Sequence, residues 1–503
     1  MYIAPNSVIR VLKDCPLDNT YDHSIYFGSR NAQTDYFIGL TKYIFTEQTY
    51  QRVKRGYMRV GRKAEDLYDC NYIMFQNTSF GNKWFYAFIT SVEYVNNEVS
   101  EIQFEIDPLQ TYWFDFELEE CFVEREHSVT DGIGDNLVKE DIGYGDYTYG
   151  EEQKSGVFSE WKIVLAYSVK ANGQTLVPGK MYGGNKVFGQ TAYFVATADE
   201  TGAGAIYDYL QEADLLNNPG SVDAIFMLPT AFVKSFTKNE IPIVDANSVP
   251  KYQTSINGYT PRNKKLLCYP YNFMRVDNQQ GETLDLHYEY FHNPHCQFRI
   301  VADVSTTPTF TLIPYSYNNL NGEKNPHETI TLSNAPQCGY TRSDLQSKSL
   351  QSLIGLGIGA LSVAPFVGSV GAAAIAGSSI LSDVIKQNLQ AQFSQNMTIK
   401  NSKATGMYFD GEFDFRFVHM SIRSEFAKIL DDYFDRFGYS TLRLKVPNIS
   451  SRPHWNYTKT AGCTIKGSMP ADDERKICDI FDNGITFWKN GDEVGNYSLN
   501  NAP

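Results

Sequence analysis

Short runs of apolar residues, separated by polar turns, dominate the first third of the chain. Aromatic and branched residues fill 72–76 and 83–90, and the polar cluster at 77–82 between them favours a turn. The stretch 161–167 has the same character farther along. Runs of this length and composition predict β-strands.

Strict alternation of apolar and polar residues follows over 102–107, which reads Ile-Gln-Phe-Glu-Ile-Asp. This period of two predicts a strand with one buried face and one wet, acidic face. The pair Asn96–Asn97 precedes it, and asparagine tolerates the positive φ of a tight turn. We therefore expect a hairpin here.

A period of three to four residues, typical of a helix, occurs over 424–437, with Ser424 as the expected N-cap and Gly438 as the stop. One apolar stripe on this helix is expected to pack on a sheet. The stripe consists of Phe426, Ile429, Leu430, Tyr433, Phe434 and Phe437. A second helix is expected over 203–216.

Two other stretches complete the pattern. The segment 128–156 is rich in Gly, Asp and Tyr and predicts a long surface connection. At 413–417, three phenylalanines alternate with Asp414 and Arg416, which predicts a return to strands. The whole chain is thus expected to be mainly β with a few helices, a β-rich α+β protein.

An uncharged run of 34 residues between Lys348 and Asp383 departs from this pattern. A helix needs about 20 apolar residues to cross a bilayer, and Pro365 divides the run into shorter halves. Gly355 and Gly359 have the spacing of helices that pack closely in lipid. A two-limbed hairpin with its tip at Pro365 fits better than a straight span, and the amphipathic stretch 384–397 can extend the second limb.

Two interpretations of the uncharged run stay open. It is either a hairpin buried permanently within its own subunit or a conditional membrane segment, sheltered in one state and released in another. An uncovered apolar patch of this size is unfavourable in water, and copies of the chain arranged in a ring could cover it. The second interpretation is favoured.

Composition narrows the function classes. The chain has 503 residues, enough for two to four domains, and aromatic residues make up 14% of it, which supports a β-rich fold. Its net charge of −14 argues against a protein that grips nucleic acid through phosphates, but not against one that nucleic acid slides past. Residues 1–12 lack the apolar region of a signal peptide, and the eight scattered cysteines contain no CxxC pair. We expect reduced, isolated thiols in a protein made in a cytosol.

Two clusters of reactive side chains have simpler structural explanations. His292, His295 and Cys296 could begin a zinc site, but no second pair of ligands completes the tetrahedron, so no metal is expected. The acidic stretch 117–126 could supply a glycosidase pair, although alternating glutamates more simply form a solvated face. These residues are Glu117, Glu119, Glu120, Glu124 and Glu126. Since no nucleophile elbow or phosphate-binding loop occurs either, we expect no cofactor and no enzymatic activity.

Long aromatic blocks at both ends of the chain carry a resemblance to a known family. The blocks lie at 71–77 (NYIMFQN), 80–88, 104–111, 123–127, 437–439, 446–448, 481–488 and 495–497. In this order they resemble the distal tail-tube or tail-knob protein of small short-tailed bacteriophages of Gram-positive hosts, the Picovirinae type. The resemblance covers residues 1–130 and 405–503 well, whereas the middle of the chain diverges.

The resemblance implies a hexameric tube built by the two ends of the chain. The implied domains are an N-terminal tube part (1–130), a knob (131–335), a glycine-rich hydrophobic loop (336–404) and a C-terminal tube part (405–503). In that family the hydrophobic loops plug the tube, then leave it and insert into the host membrane as a channel for DNA. By position, the implied membrane-insertion residues are Leu350, Leu353, Ile354, Leu356, Ile358, Leu361, Val363, Pro365, Phe366, Val367, Val370, Ile375, Ile380 and Leu381, with Gly355, Gly357, Gly359, Gly368, Gly371 and Gly377 for bending and packing.

The resemblance also implies partners and a location. The protein would lie at the distal end of the virion tail after synthesis in the host cytoplasm. It would contact copies of itself, upper tail or lower collar proteins, lipids of the host cytoplasmic membrane, and double-stranded DNA that passes through without specific binding. Two alternatives stay open: a host cell-wall adhesin or receptor-binding tail protein whose aromatic knob stacks on sugars, and a wall-degrading enzyme that uses the carboxylates of 117–126.

Overall fold

The structure is a computed structural model that describes residues 6–48, 56–167, 181–182, 185–188, 191–197, 200–212, 222–233, 242–251, 254–303, 308–318, 328–333, 337–341 and 413–503. The strands in chain order are β1 (Ser7–Lys13), β2 (His23–Ile25), β3 (Thr41–Gln48), β4 (Tyr57–Val60), β5 (Cys70–Gln76), β6 (Trp84–Asn96), β7 (Val99–Ile106), β8 (Phe116–Leu118), β9 (Cys121–Glu126), β10 (Tyr147–Lys154), β11 (Trp161–Tyr167), β12 (Met181–Tyr182), β13 (Asn185–Phe188), β14 (Thr191–Thr197), β15 (Val222–Pro229), β16 (Ile243–Asp245), β17 (Val249–Pro250), β18 (Asn272–Asp277), β19 (Thr283–Leu286), β20 (His295–Asp303), β21 (Thr309–Tyr315), β22 (Ile330–Leu332), β23 (Gln337–Thr341), β24 (Arg416–Ile422), β25 (Tyr439–Lys445), β26 (Trp455–Ala461), β27 (Ile465–Gly467) and β28 (Ile485–Trp488). The α-helices are α1 (Arg30–Gly39), α2 (Pro108–Tyr112), α3 (Glu200–Glu212), α4 (Ser424–Phe437) and α5 (Ala471–Asn483). The predicted mainly β class is confirmed.

The chain divides into two compact units, and neither is continuous in sequence. The first unit comprises 1–145, 258–266 and 424–503, and the second comprises 146–257 and 267–423. The chain therefore passes between the units four times. Strand β24 lies within 405–503, the range that the resemblance assigns to the C-terminal tube part, and it belongs to the second compact unit.

The first unit contains two larger sheets and a two-stranded one. One has the strand order β3-β1-β5-β6-β7-β4, another the order β2-β28-β26-β9-β25, and β27 pairs with β8. The predicted hairpin is present, since β6 ends at Asn96 and β7 begins at Val99. Ile102 and Phe104 are buried in the core, as their alternation predicted, whereas Glu105 is exposed.

Helix α4 begins and ends almost where the sequence placed it. Gly438 follows its last residue with φ +63°, and a Cβ there would lie 2.1 Å from the carbonyl oxygen of Glu126, so only glycine fits this stop. The predicted stripe is wrong at Ile429, which is 65% exposed. The buried face of the helix consists instead of Ala427, Leu430, Asp431 and Phe434. It therefore includes the carboxylate of Asp431.

That carboxylate, Asp431, binds the segment 258–266, which returns to the first unit from the middle of the chain. It accepts hydrogen bonds from the Tyr259 hydroxyl (2.6 Å), the backbone nitrogens of Arg262 (2.8 Å) and Asn263 (2.9 Å), and the Asn263 side-chain amide (2.7 Å). The Asp431 side chain is fully buried, so these donors replace its hydration shell. We call this set the Asp431 hub.

A second buried carboxylate, Glu140, binds the other end of the same segment. It forms ion pairs with Arg125 and Lys265 and accepts a hydrogen bond from the backbone nitrogen of Ser440 at 3.0 Å. Burial opposes ionisation of Glu140, but the two cations outweigh it and lower the pKa of this carboxyl. Three stretches of the first unit thus meet around one charge.

In its described residues, the second unit contains three sheets. Their strand orders are β10-β24-β18-β19, β12-β13-β14-β11-β15-β23 and β16-β20-β21-β22, with β17 also paired to β20. Strand β11 lies where the sequence predicted a strand, and α3 where it predicted a helix. The long surface connection predicted for 128–156 is wrong over its last part, because residues 147–154 form β10 and pair with β24.

The seven cysteines whose side chains the structure describes form no disulfide. They are not all isolated, however. The thiol of Cys463 lies near those of Cys121 and Cys478. Burial raises the pKa of Cys463, which favours the unreactive thiol form.

Candidate functional site at the ends of the glycine-rich segment

All the predicted membrane-insertion residues, from Leu350 to Leu381, lie outside the described residues, which stop at Thr341 and resume at Phe413. The structure does describe the two strands that flank this stretch. β23 precedes it and β24 follows it. These two strands hold the ends of the segment in the fold.

The strand that follows the segment is central in its sheet. β24 pairs with β10 on one side and β18 on the other, both antiparallel, so that Phe417 lies opposite Gln153 and Val276. All seven residues of β24 are buried. A strand with neighbours on both edges and cover on both faces is a strong anchor, because its separation breaks two hydrogen-bond ladders at once.

Three aromatic side chains fix the approach to β24. The ring of Phe413 contacts that of Phe158, with centroids 5.4 Å apart, and Phe417 stacks on Phe298 at 4.5 Å. Phe415 lies between them and is fully buried. Aromatic pairs in such edge and stacked arrangements add about 0.5–1.5 kcal/mol beyond the area that they bury.

The polar residues between the phenylalanines are buried too. Asp414 accepts a hydrogen bond from the Ser155 hydroxyl and one from the backbone nitrogen of Phe415 at 2.7 Å. Burial raises the pKa of Asp414, although these donors oppose the rise. Arg416, whose side chain is only 7% exposed, forms an ion pair with Glu152, and 2.7 Å separates its Nη1 from the Oε1 of the glutamate. The alternation at 413–417 therefore has no wet face.

The strand that precedes the segment is held in the same unit. β23 pairs antiparallel with β15, placing Thr341 opposite Ala224 and Tyr340 opposite Ile225. Phe226 and Leu228 of β15 belong to the hydrophobic core that also contains Phe413 and Phe415. Both ends of the stretch 342–412 are thus anchored to one core.

A buried histidine on β24 makes this anchor sensitive to pH. Its Nδ1 lies 2.8 Å from the hydroxyl of Tyr288, and burial lowers the pKa of His419 to about 4. An unfolded chain binds a proton at this side chain below about pH 6.5, whereas the folded unit does not until about pH 4. Protonation of His419 in the unfolded chain therefore reduces the stability of the second unit progressively as the pH falls from 6.5 towards 4.

Between pH 7 and pH 5 we expect wild type to lose about 2 kcal/mol more stability than His419→Gln, because glutamine does not titrate. Denaturant unfolding at the two pH values measures this difference. The raised pKa of Asp414 increases the stability of the unit as the pH falls, but wild type and variant share this effect, so it cancels in the comparison. The same change at the exposed His295 is the matched control. Equal pH dependence in wild type and His419→Gln would contradict the prediction.

Of the candidate glutamates, Glu124 and Glu126 are held in ion pairs, whereas Glu117, Glu119 and Glu120 are exposed. Glu124 forms an ion pair with Lys459 at 2.8 Å. Glu126 is buried against Lys445 and accepts a hydrogen bond from the backbone nitrogen of Asn448 at 2.8 Å. Glu117 lies on β8, opposite Lys466 of β27, and Glu119 and Glu120 follow in the connection to β9. Two carboxylates that are each neutralised by a lysine do not form the open pair that cleaves a glycosidic bond.

The histidine–cysteine cluster is divided between two sides of one strand. Cys296 is buried in the core from β20, whereas His295 beside it is exposed. His292 precedes the strand and is exposed as well. Across the described ranges, no three His, Cys, Asp or Glu side chains are grouped so that they could hold a metal ion. None of the helices in those ranges combines the length and apolar character that a bilayer crossing requires.

The hubs around Asp431 and Glu140 had no signal in the sequence. Glu140 lies in a polar stretch and Asp431 lies in an amphipathic helix, and in both settings a carboxylate is normally exposed. Apart from Arg125, which is 15 residues from Glu140, the partners described above come from segments more than 100 residues away. Nothing in local spacing identifies such contacts.

The architecture defines a class before any relative is considered: a two-unit, β-rich protein that holds a long uncharged segment by both ends. Comparison with known proteins then gives the family. A family model described as "Bacillus phage phi29, Tail knob protein gp9, C-terminal domain" matches residues 232–353 and 342–502. A second, "Caudoviral major tail protein N-terminus", matches residues 5–117.

Individual relatives agree with these matches. The tail knob protein gp9 of Bacillus phage B103 is 26% identical, and that of Bacillus phage phi29 is 25% identical, each over 98% of both chains. The solved structure of the bacteriophage C1 tail knob protein, gp12, superposes with a TM-score of 0.59 at 16% identity, covering 98% of this chain and 99% of that one. The chain belongs to the phage tail knob protein family of the phi29 gp9 type. It is a structural protein of the virion, located at the tail, and its relatives are named as tail components rather than as enzymes.

Proposed function

We propose that copies of this chain form a hexameric tube at the distal end of the tail, plugged by the glycine-rich hydrophobic segments. These segments then leave the tube and insert into the host cytoplasmic membrane as a channel for genome ejection. The ends of the chain, 1–130 and 405–503, would build the tube, 131–335 the knob, and 336–404 the inserting loop. Upper tail or lower collar proteins would bind above it.

The observation that carries the proposal is the anchoring of both ends of one uncharged run. Residues 349–382 contain no Asp, Glu, Lys or Arg, and the strands on either side of 342–412 are paired into sheets of one unit. A segment held at both ends can change its surroundings without leaving the protein. Its lack of charge removes the largest penalty for entry into hydrocarbon.

The charge of the chain supports passage of DNA rather than its capture. The net charge is −14, and a protein that binds nucleic acid through phosphates needs the opposite sign. An acidic wall would repel the duplex and reduce friction during ejection. Double-stranded DNA is thus a passing partner in this proposal, and membrane lipid is the partner that the segment contacts directly.

Dye release from liposomes tests the channel. Full-length protein should release the dye at pH 7 or pH 5, and a variant that lacks 350–382 should leave the vesicles sealed while it keeps the folded core. Equal release by both proteins would remove the segment from the mechanism. If neither released dye, while both bound host cell walls tightly, the adhesin alternative would be favoured instead.

Single charges within the segment should have nearly the same effect as the deletion. Val367→Asp and Ile375→Asp each place a carboxylate where it costs about 2.5–3.5 kcal/mol at mid-bilayer, so release should fall sharply. Ile429→Asp is the matched control, because Ile429 is an exposed aliphatic residue of α4, outside the segment. Wild-type release from Val367→Asp and Ile375→Asp would contradict insertion of these residues.

A further inference from the structure

We propose that Cys463 and Cys478 are an oxidisable thiol pair. In the reducing cytosol of the host both side chains stay thiols, and in the virion outside the cell they close into a disulfide. This bond fastens α5 to the turn that follows β26. The inference does not depend on the membrane channel, since it needs only a protein of the virion and two neighbouring cysteines.

One carboxylate brings the two cysteines together. Asp482 of α5 accepts hydrogen bonds from the Thr460 hydroxyl at 2.7 Å and from the backbone nitrogen of Cys463 at 3.0 Å. The backbone nitrogen of Gly462 donates to its other oxygen at 3.1 Å. Cys478 precedes Asp482 by one helical turn and lies on the same face of α5. The carboxylate therefore fixes the backbone of Cys463 against the part of the helix that carries Cys478.

Packing supports the same arrangement. The thiol of Cys463 lies near that of Cys478, and both side chains pack in the hydrophobic core that contains Ile477 and Phe481 of α5. The helix also contacts β26. Because disulfide geometry is narrow, only cysteines that the fold already holds beside each other can join without a movement of the backbone. Cys463 and Cys478 are held in this way.

Exposure distinguishes this pair from the third thiol nearby. Cys121 also lies near Cys463, because β9 pairs with β26 and Phe122 is opposite Ala461. Cys121 and Cys463 are buried, whereas Cys478 is half-buried and can be reached by a small oxidant. Oxidation begins at an accessible thiol. The first sulfur to be oxidised is therefore that of Cys478, and Cys463 completes the bond.

The reaction balances with a hydroperoxide as the oxidant. The thiolate of Cys478 attacks one oxygen of hydrogen peroxide and the O–O bond breaks, which gives a sulfenic acid and a hydroxide that takes up the thiol proton. The sulfur of Cys463 then attacks the sulfur of Cys478, and the S–O bond breaks. The departing hydroxide takes the proton of Cys463. Two thiols are thus oxidised to one disulfide, and one peroxide is reduced to two waters.

Burial makes this reaction slow. It raises the pKa of both Cys463 and Cys478, so little thiolate exists at neutral pH. Inside the cell, reductants reverse a slow oxidation as it occurs, whereas in a virion that persists outside the cell the product accumulates. The disulfide therefore forms after release of the virion and does not report a brief oxidative signal.

Thiol counting and mass spectrometry on the full chain test the inference. After treatment of the folded protein with hydrogen peroxide, the number of free thiols should fall by two from eight. A non-reduced peptide map should then join Cys463 to Cys478. Cys478→Ala should abolish the link, while Cys121→Ala, the matched control, should keep it.

The link should also stabilise the first unit. A disulfide across about 15 residues restricts the unfolded chain, so oxidation should raise the melting temperature by at least about 5 °C. Dithiothreitol should reverse this rise, and Cys478→Ala should not show it. A link without the rise would mean that the bond does not fasten the turn to the helix, contrary to the inference.

Other results would contradict particular steps. A peptide map that joins Cys463 to Cys121, or a link between two chains, would show that the pair is wrong. Retention of all eight thiols, or sulfinic acid at Cys478 without a link, would refute the disulfide. Protein from purified virions, unfolded in N-ethylmaleimide to prevent thiol exchange, should carry the link, whereas protein from infected cells should not. Free thiols at both positions in virions would refute its formation there, even if peroxide joins them in the purified chain.

Discussion

Replacing Asp431 with alanine should lower the free energy of unfolding of the first unit by about 3–5 kcal/mol. The carboxylate is fully buried and accepts hydrogen bonds from Tyr259, Arg262 and Asn263. Its removal leaves these donors without their acceptor, and those of Asn263 are buried, where a polar group without a partner carries its full desolvation cost. Denaturant unfolding gives the magnitude of the loss.

Hydrogen exchange should show where that loss occurs. The segment 258–266 depends on the Asp431 hub, so its amides should exchange much faster in the variant than in the wild type. Asp432→Ala is the matched control. Asp432 also pairs with Arg262, but its side chain is 68% exposed, so its loss should cost at most about 1 kcal/mol. Equal effects of the two substitutions would show that burial of Asp431 does not determine the stability of the hub.

Phe415→Ala should destabilise the second unit by about 3–5 kcal/mol. Phe415 leads into β24, and its ring is fully buried in the core that anchors both ends of the glycine-rich stretch. The substitution removes the buried apolar surface and leaves a cavity that the central strand of a sheet cannot easily close. Unfolding measurements and hydrogen exchange on β24 and β10 report the effect.

A graded control separates packing from other causes of this loss. Phe415→Leu keeps much of the volume and should cost less than about 1.5 kcal/mol. If the leucine variant lost as much stability as the alanine variant, the aromatic contacts of the ring rather than its volume would be responsible. A small effect of both variants would mean that the approach to β24 is weakly held, which would contradict its role as an anchor.

Local patterns predicted the elements whose surroundings are simple. The hairpin at Asn96–Asn97, the strand at 161–167 and the helix at 424–437 are all confirmed, because each has a period or a turn residue that one segment alone determines. The resemblance carried by the aromatic blocks was sufficient to identify the family. These features need only neighbours in sequence, or a long ordered match, to be recognised.

Long-range contacts account for what the sequence did not predict. Strand β10 has the polar composition of a loop and is a strand because β24, more than 250 residues away, pairs with it. Ile429 fits the apolar stripe of α4 but is exposed, whereas Asp431 is buried because the segment 258–266 supplies its donors. In both cases tertiary partners outweigh the local pattern.

The position of β24 between β10 and β18 sets an order of events during synthesis on the ribosome. The second unit cannot close its four-stranded sheet until β24 emerges, and the uncharged run at 349–382 emerges shortly before it. During that interval, the nascent chain exposes an apolar, uncharged run and two unpaired sheet edges at the same time. Both features promote aggregation. A chain that ends between 382 and 416 would therefore keep the apolar run and the unpaired edges of β10 and β18, and we expect it to aggregate.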